Sequence, residues 1–124
     1  MSSQILLSGG DKYYSYSGRL FGDVSVPATI PMITIDNTGL KDSYVVISPF
    51  YGAPVNNSGG AQIGITIKLD NVEIVKHKVY DVRGDMVENF PLFIPRNSKL
   101  EVISDNSTAN NTQTRGVTLI GYYL

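Results

Sequence analysis

Apolar side chains recur at every second position through much of this chain. Ile63, Ile65, Ile67 and Leu69 alternate with Gly64, Thr66 and Lys68, the period of a strand with one face packed and the other wet. Similar strand-like runs are Gln4–Leu7, Arg19–Val26, Ile30–Asp36, Tyr44–Tyr51, Val72–Val79, Val87–Ile94, Lys99–Ser104 and Gly116–Tyr123, with Tyr13–Tyr16 as a short extra strand. Nowhere do apolar positions hold the i, i+3, i+4, i+7 spacing for three turns, so no helix longer than a turn or two is predicted. Residue usage agrees: valine and isoleucine each occur twelve times and alanine only four. β-Branched side chains suit a pleated surface and lose rotamer freedom in a helix.

Asp70-Asn71 follows Leu69 and offers two residues that tolerate positive φ, as a type I′ hairpin turn requires. In that register Lys68 faces Glu73, an opposite-charge cross-strand pair. Beyond the turn the pattern breaks, because Lys76 and Lys78 take the packed positions while Val75 and Val79 turn apolar. Either a bulge flips the strand near Ile74–Lys76 or both of its sides are covered. Prolines 27, 31, 49, 54, 91 and 95 are expected at strand ends. Loops are expected at Gly52–Ala61, Asp81–Met86 and Asp105–Thr114, the last nearly all small and polar. The chain closes in Gly121-Tyr122-Tyr123-Leu124 without a polar tail, which predicts a final strand held inside a sheet. Eight to ten short strands without a repeat or linker predict one domain over residues 1–124, an all-β antiparallel two-sheet sandwich of jelly-roll type.

Composition narrows the function classes. With no cysteine, disulfides, thiolate metal sites and cysteine nucleophiles are excluded. A formal net charge of -1 and 17% charged residues give neither the basic footprint of a nucleic-acid binder nor a polybasic membrane grip. The opening Met1-Ser2-Ser3-Gln4 lacks the basic and then apolar pattern of a secretion signal. Catalytic inventory is thin, and no enzyme is expected. The sole histidine, His77, lies within a strand between two lysines, without a Gly-x-Ser-x-Gly elbow or a carboxylate beside it. Asp36-Asn37, Asp70-Asn71 and Asp105-Asn106 read as turn residues. Asp81 and Asp85 flank Arg83, which argues against a calcium loop, and Gly59–Gly64 lacks the lysine and following helix of a phosphate loop. No catalytic residue, metal or cofactor is expected.

Tyrosine supplies the remaining candidates. Its amphipathic ring serves strand packing, and it is also enriched at interface hot spots. Tyr13, Tyr14, Tyr51, Tyr122 and Tyr123 are the candidate contact residues. Neighbours in a strand face opposite ways, so one of Tyr13/Tyr14 and one of Tyr122/Tyr123 should point outward.

The stretch from Asn89-Phe90-Pro91-Leu92-Phe93-Ile94-Pro95 through Arg96-Asn97-Ser98-Lys99-Leu100-Glu101-Val102, followed by a polar loop and the strand Gly116–Tyr123, resembles the late strand pair of small jelly-roll virion proteins of tailed bacteriophages. The hairpin from Gly60 to Val79 is similar in kind, and the resemblance covers about Ala61 to Leu124. It implies a non-enzymatic virion structural protein, a capsid decoration or cement protein or a piece of a head or tail fibre. The major capsid protein or other virion proteins would be its partners, homo-oligomers are common, and its place would be the virion after synthesis in the host cytoplasm. The alternative is a carbohydrate-binding jelly-roll module that holds a glycan through exposed tyrosines.

Overall fold

The computed structural model describes residues 7–9, 12–16, 20–22, 28–54, 61–82, 86–106 and 113–124. The alternation at 63–69 becomes a strand buried on one side: Ile65 and Ile67 are buried, while Thr66 and Lys68 are half-buried on the other. The described strands are β1 (Leu7–Gly9), β2 (Lys12–Tyr16), β3 (Leu20–Gly22), β4 (Ala28–Ile35), β5 (Ser43–Pro54), β6 (Ala61–Leu69), β7 (Val72–Val82), β8 (Met86–Val87), β9 (Phe90–Ile94), β10 (Leu100–Asn106) and β11 (Gln113–Tyr123). Among the described residues there is no helix.

All pairings are antiparallel, in two sheets. The larger runs β1-β2-β11-β5, with β8 and β9 sharing the far side of β5 and β3 pairing β11; the smaller runs β4-β10-β6-β7. Numbering β2, β4, β5, β6, β7, β9, β10 and β11 as first to eighth gives one layer ordered first-eighth-third-sixth and the other second-seventh-fourth-fifth. That interleaving is the jelly roll. The final strand lies inside its sheet, as the apolar ending predicted, between β5 on one side and β2 and β3 on the other. Between the layers, Met32, Ile33 and Ile35, Val45 and Ile47, Ile65 and Ile67, Leu100 and Val102, and Val117 and Leu119 form one buried cluster with Ile94.

Asp70 and Asn71 adopt φ of 50° and 67°, the type I′ turn expected, and Lys68 faces Glu73. The broken pattern in β7 is a bulge. Ile67 pairs with Val75 and Lys68 with Glu73, leaving Ile74 extra. Val75 and His77 are thereby half-buried while Lys76 and Lys78 stay exposed.

Two expectations need correction. Pro49 is not at a strand end but in the middle of β5, opposite Val117. It is tolerated because a strand residue directs its N–H and C=O to the same side, and here that side faces the break between β8 and β9. Glu88 N donates to Pro49 O at 3.1 Å, so the missing N–H falls where the neighbouring ladder is already interrupted. Pro31 and Pro91 also lie within strands, β4 and β9, both at sheet edges. The loops are shorter than expected, since β5 runs to Pro54, β7 to Val82 and β10 to Asn106. What remains of them, residues 55–60, 83–85 and 107–112, lies outside the described residues, as do Gln4–Leu6 of the first run, Arg19 and Asp23–Val26 of the second, and Pro27.

Candidate docking surface

One end of the sandwich gathers the β4–β5 loop (36–42), the β9–β10 turn (95–99), the Asp70-Asn71 hairpin and the last residue of the chain. Polar contacts lock these pieces together. Thr38 N donates to Ser98 O (2.9 Å), Asn97 N to Gly39 O (2.7 Å) and Leu124 N to Asp42 O (2.9 Å). Ser98 N donates to Thr38 Oγ1 (3.2 Å), and Ser98 Oγ to Pro95 O (2.8 Å). Asp70 N donates to Lys99 O (2.9 Å), and Lys99 N returns a bond to Asp70 Oδ1 (2.8 Å). Asp42 Oδ1 accepts from Arg96 N (2.9 Å) and Arg96 Nε (3.3 Å). The backbone N–H of Arg96, and then its guanidinium, hold the Asp42 carboxyl below the usual carboxylate range. Thr38 and Ser98 are fully buried, so this end satisfies its polar groups internally.

On this fixed frame stand apolar side chains that the chain leaves uncovered. Of eight exposed large hydrophobics among the described residues, seven belong to this end. Leu40 (82%) comes from the β4–β5 loop and Leu124 (71%) from the terminus; Val72 and Ile74 follow the hairpin. Tyr44, Phe93 and Tyr122 lie on three adjacent strands in register, Tyr44 opposite both Phe93 and Tyr122. Lys12 is opposite Tyr122, its Nζ 5.6 Å from the ring centroid, a cation–π contact closing the row. Strand spacing places adjacent members of such a row about 5 Å apart. The eighth residue, Val87, pairs with Phe50 toward the other end.

The tyrosines predicted for contact divide. Tyr122 points outward and Tyr123 inward, half-buried against the core, its hydroxyl donating to Thr38 O at 3.3 Å. Tyr51 is a correction: it is 1% exposed, because Val45, Ile47 and Pro49 fix the inward parity of β5. Tyr13 and Tyr14 pair with Gly121 and Ile120 in β2–β11, and their side chains lie outside the described residues. Tyr44 and Phe93, outside the sequence candidates, also point outward. For Tyr44 the signal was alternation, since it precedes inward Val45; Phe93 sits between inward Leu92 and Ile94 in an unbroken apolar run.

A second cluster joins the two sheets. His77 Nε2 of β7 lies 2.9 Å from Oε2 of Glu88, and its ring meets Phe90 edge-on at 5.6 Å. The fold therefore gives the histidine the carboxylate that the sequence did not place beside it. Oε1 of Glu88 and the Tyr51 hydroxyl are buried without a hydrogen bond of good geometry. Burial foremost, and then the nearby Glu88 charge, push the Tyr51 phenol far up. Among the described residues no group of three histidines or acids is placed to hold a metal, and no helix is long and apolar enough to cross a membrane.

The architecture defines a capsid-type jelly roll. Among solved structures it is similar to that of the infectious bursal disease virus Gx strain, with 13% identity, 97% of this chain and 31% of that chain covered, and a TM-score of 0.53. The VP2 subviral particle of infectious bursal disease virus gives 14% identity, 90% and 37% coverage and a TM-score of 0.55. The T=1 particles derived from the same virus give 15%, 90% and 35%, and 0.52. The chain spans about a third of the length of these viral chains. Its fold is that of viral capsid β-sandwich proteins. No family model matches the sequence, and no curated protein does.

Proposed function

We propose that this chain is a non-enzymatic structural domain of a virion that seats on the particle by the end bearing Tyr44, Phe93, Tyr122, Leu40 and Leu124. The finer reading is a capsid decoration or cement protein of the tailed-phage kind, contacting the major capsid protein or other virion proteins and acting as a homo-oligomer. The observation that carries it is the concentration of exposed apolar side chains on a frame already fixed by hydrogen bonds. Rimmed apolar patches mark interaction surfaces, and a frame ordered beforehand loses less entropy on docking. The likeness to capsid folds supports the setting. Four strands at about 4.8 Å each, over a few residues of about 3.3 Å rise, give a patch of only a few hundred Å². That is below the ~800 Å² per partner of a stable interface. Weak docking becomes firm when linked copies engage neighbouring positions of one lattice.

The test mixes purified protein with particles lacking it and measures occupancy and the temperature at which the shells open. Saturable binding and a higher opening temperature are expected. Both should be lost in Tyr44→Ser/Phe93→Ser and kept in Val87→Ser at the far end. Failure to bind any particle overturns the reading.

A further inference from the structure

The outer face of the four-stranded sheet is chemically unlike the apolar end. Thr29, Thr66, Lys68, Glu73, Lys76 and Ile103 line an open depression of about 180 Å³. Register explains the gathering: Thr66 faces both Lys76 and Ile103, and Lys68 faces Glu73. The bulge completes it. Glu73 and Lys76 are three residues apart and would face opposite sides of a regular strand. Ile74, as the extra residue, brings both to the outer face.

Among the described residues neither the Lys68 nor the Lys76 ammonium has a salt-bridge partner, nor has the Glu73 carboxylate; the neighbouring pair is Lys99 with Glu101 at 3.8 Å. Two free ammoniums favour an anionic group. A carboxylate in the same hollow, on a chain of net charge -1, disfavours a polyanion such as nucleic acid. Thr29, Thr66 and Glu73 offer hydroxyl and carboxylate partners to a ligand rich in hydroxyls. The half-buried Ile103 offers an apolar floor to the carbon face of a ring. The hollow is smaller than the ~300 Å³ at which drug-sized sites begin, so it suits a small sugar or the end of a longer one.

We propose that this depression binds an acidic saccharide. Its carboxylate or sulfate sits between Lys68 and Lys76, its hydroxyls meet Thr29, Thr66 and Glu73, and its apolar face rests on Ile103. The inference does not rest on particle docking. It uses the outer face of the smaller sheet, not the Tyr44, Phe93 and Tyr122 row of the larger one.

The experiment titrates the full chain, nitrogen-15 labelled, with a glucuronic-acid-containing disaccharide, with the matching neutral glucose disaccharide and with sodium phosphate. The acidic disaccharide is expected to give saturable shifts at Thr66, Lys68, Glu73 and Lys76, with the neutral sugar about tenfold weaker. Lys68→Gln and Lys76→Gln should each weaken binding about three- to tenfold while the rest of the spectrum stays unchanged, which verifies folding. Tyr44→Ser/Phe93→Ser, which tests particle docking, should leave the titration as it was. The proposal is overturned by the absence of shifts at these residues, by equal binding of the neutral sugar, by equally tight binding of phosphate, or by full binding in both lysine variants.

Discussion

Nε2 of His77 and Oε2 of Glu88 meet at 2.9 Å across the sandwich, joining β7 of the smaller sheet to the β8–β9 link of the larger. The link is free to supply Glu88 because Pro49 has no N–H to give a continuous partner strand there. Glu88 instead donates its own N–H to Pro49 O and sends its carboxylate between the layers. One proline thus leads to an interrupted strand, and the interruption to a clasp between sheets. Tyr51, two residues beyond Pro49, lies beside that carboxylate, its hydroxyl buried without a hydrogen bond of good geometry.

Tyr51→Phe should therefore change stability little near pH 7, by about 1 kcal/mol or less, because the hydroxyl it removes is buried beside Glu88 without a hydrogen bond of good geometry. The alkaline response gives the sharper readout. Burial and the Glu88 charge raise the phenol of the folded state above the ordinary value of about 10 of the unfolded chain. The stability tied to that proton is complete below about pH 10 and is lost as pH climbs beyond it. Denaturation midpoints from about pH 8 to about pH 12 should fall less steeply in Tyr51→Phe. Equal slopes would mean that Tyr51 ionises as freely folded as unfolded.

Gly39 has φ of +113°, and a Cβ built there would lie 3.1 Å from the Tyr123 hydroxyl. Its N–H is held by Asn37 Oδ1 at 2.8 Å and its carbonyl by Asn97 N at 2.7 Å, so the loop has little room to relax. Gly39→Ala should cost about 1–3 kcal/mol, read as a lower urea midpoint with an unchanged slope. An unchanged midpoint would show that this loop is not rigidly framed.

What was legible in the sequence was what neighbours in sequence decide. Asp70-Asn71 announced its turn because the requirement for positive φ is local, and the alternation of Ile63–Leu69 announced its strand because period two is local. The bulge was half legible: the pattern showed that something changed at Ile74–Lys76, but choosing a bulge over two-sided burial needed the partner strand. Phe93 was hidden inside an unbroken apolar run, where alternation leaves no contrast between faces. Tyr51 has the inward parity of Val45 and Ile47, so its burial is legible along β5 even though tyrosine composition alone favours an interface. The His77–Glu88 clasp had no local signal, since its partners belong to different sheets.

Asp42 should make the apolar end acid-sensitive. The Arg96 N–H and guanidinium hold its folded carboxyl low, so its contribution is present above the unfolded value of about 3.9 and disappears as pH falls through the lowered folded one. Asp42→Ala should be less stable than the parent near pH 7, and the gap should close in strong acid. Midpoints compared at both extremes check this. A gap that persists in acid would assign the loss to packing rather than to the carboxylate.

Deleting Ile74 should preserve the fold, an outcome that follows from register rather than from side-chain energies. Leu69–Val72, Lys68–Glu73 and Ile67–Val75 are already paired, and Ile74 has no partner of its own. Its removal leaves a regular ladder in which Val75 and His77 keep their inward places and Glu73 and Lys76 their outward ones. Ile74 is 41% exposed, so little buried area goes with it, and the change should be about 1 kcal/mol or less. Deleting Lys76 instead shifts everything beyond it by one residue. It turns His77 outward, away from Glu88 and Phe90, and brings Lys78 inward. That variant should lose several kcal/mol or fail to fold, since it buries an unpaired charge. Urea midpoints of the two deletions, with the proton contact between the His77 and Phe90 rings as the structural marker, separate the cases. An unfolded Ile74 deletion beside a stable Lys76 deletion would refute the bulge as the element that sets this face.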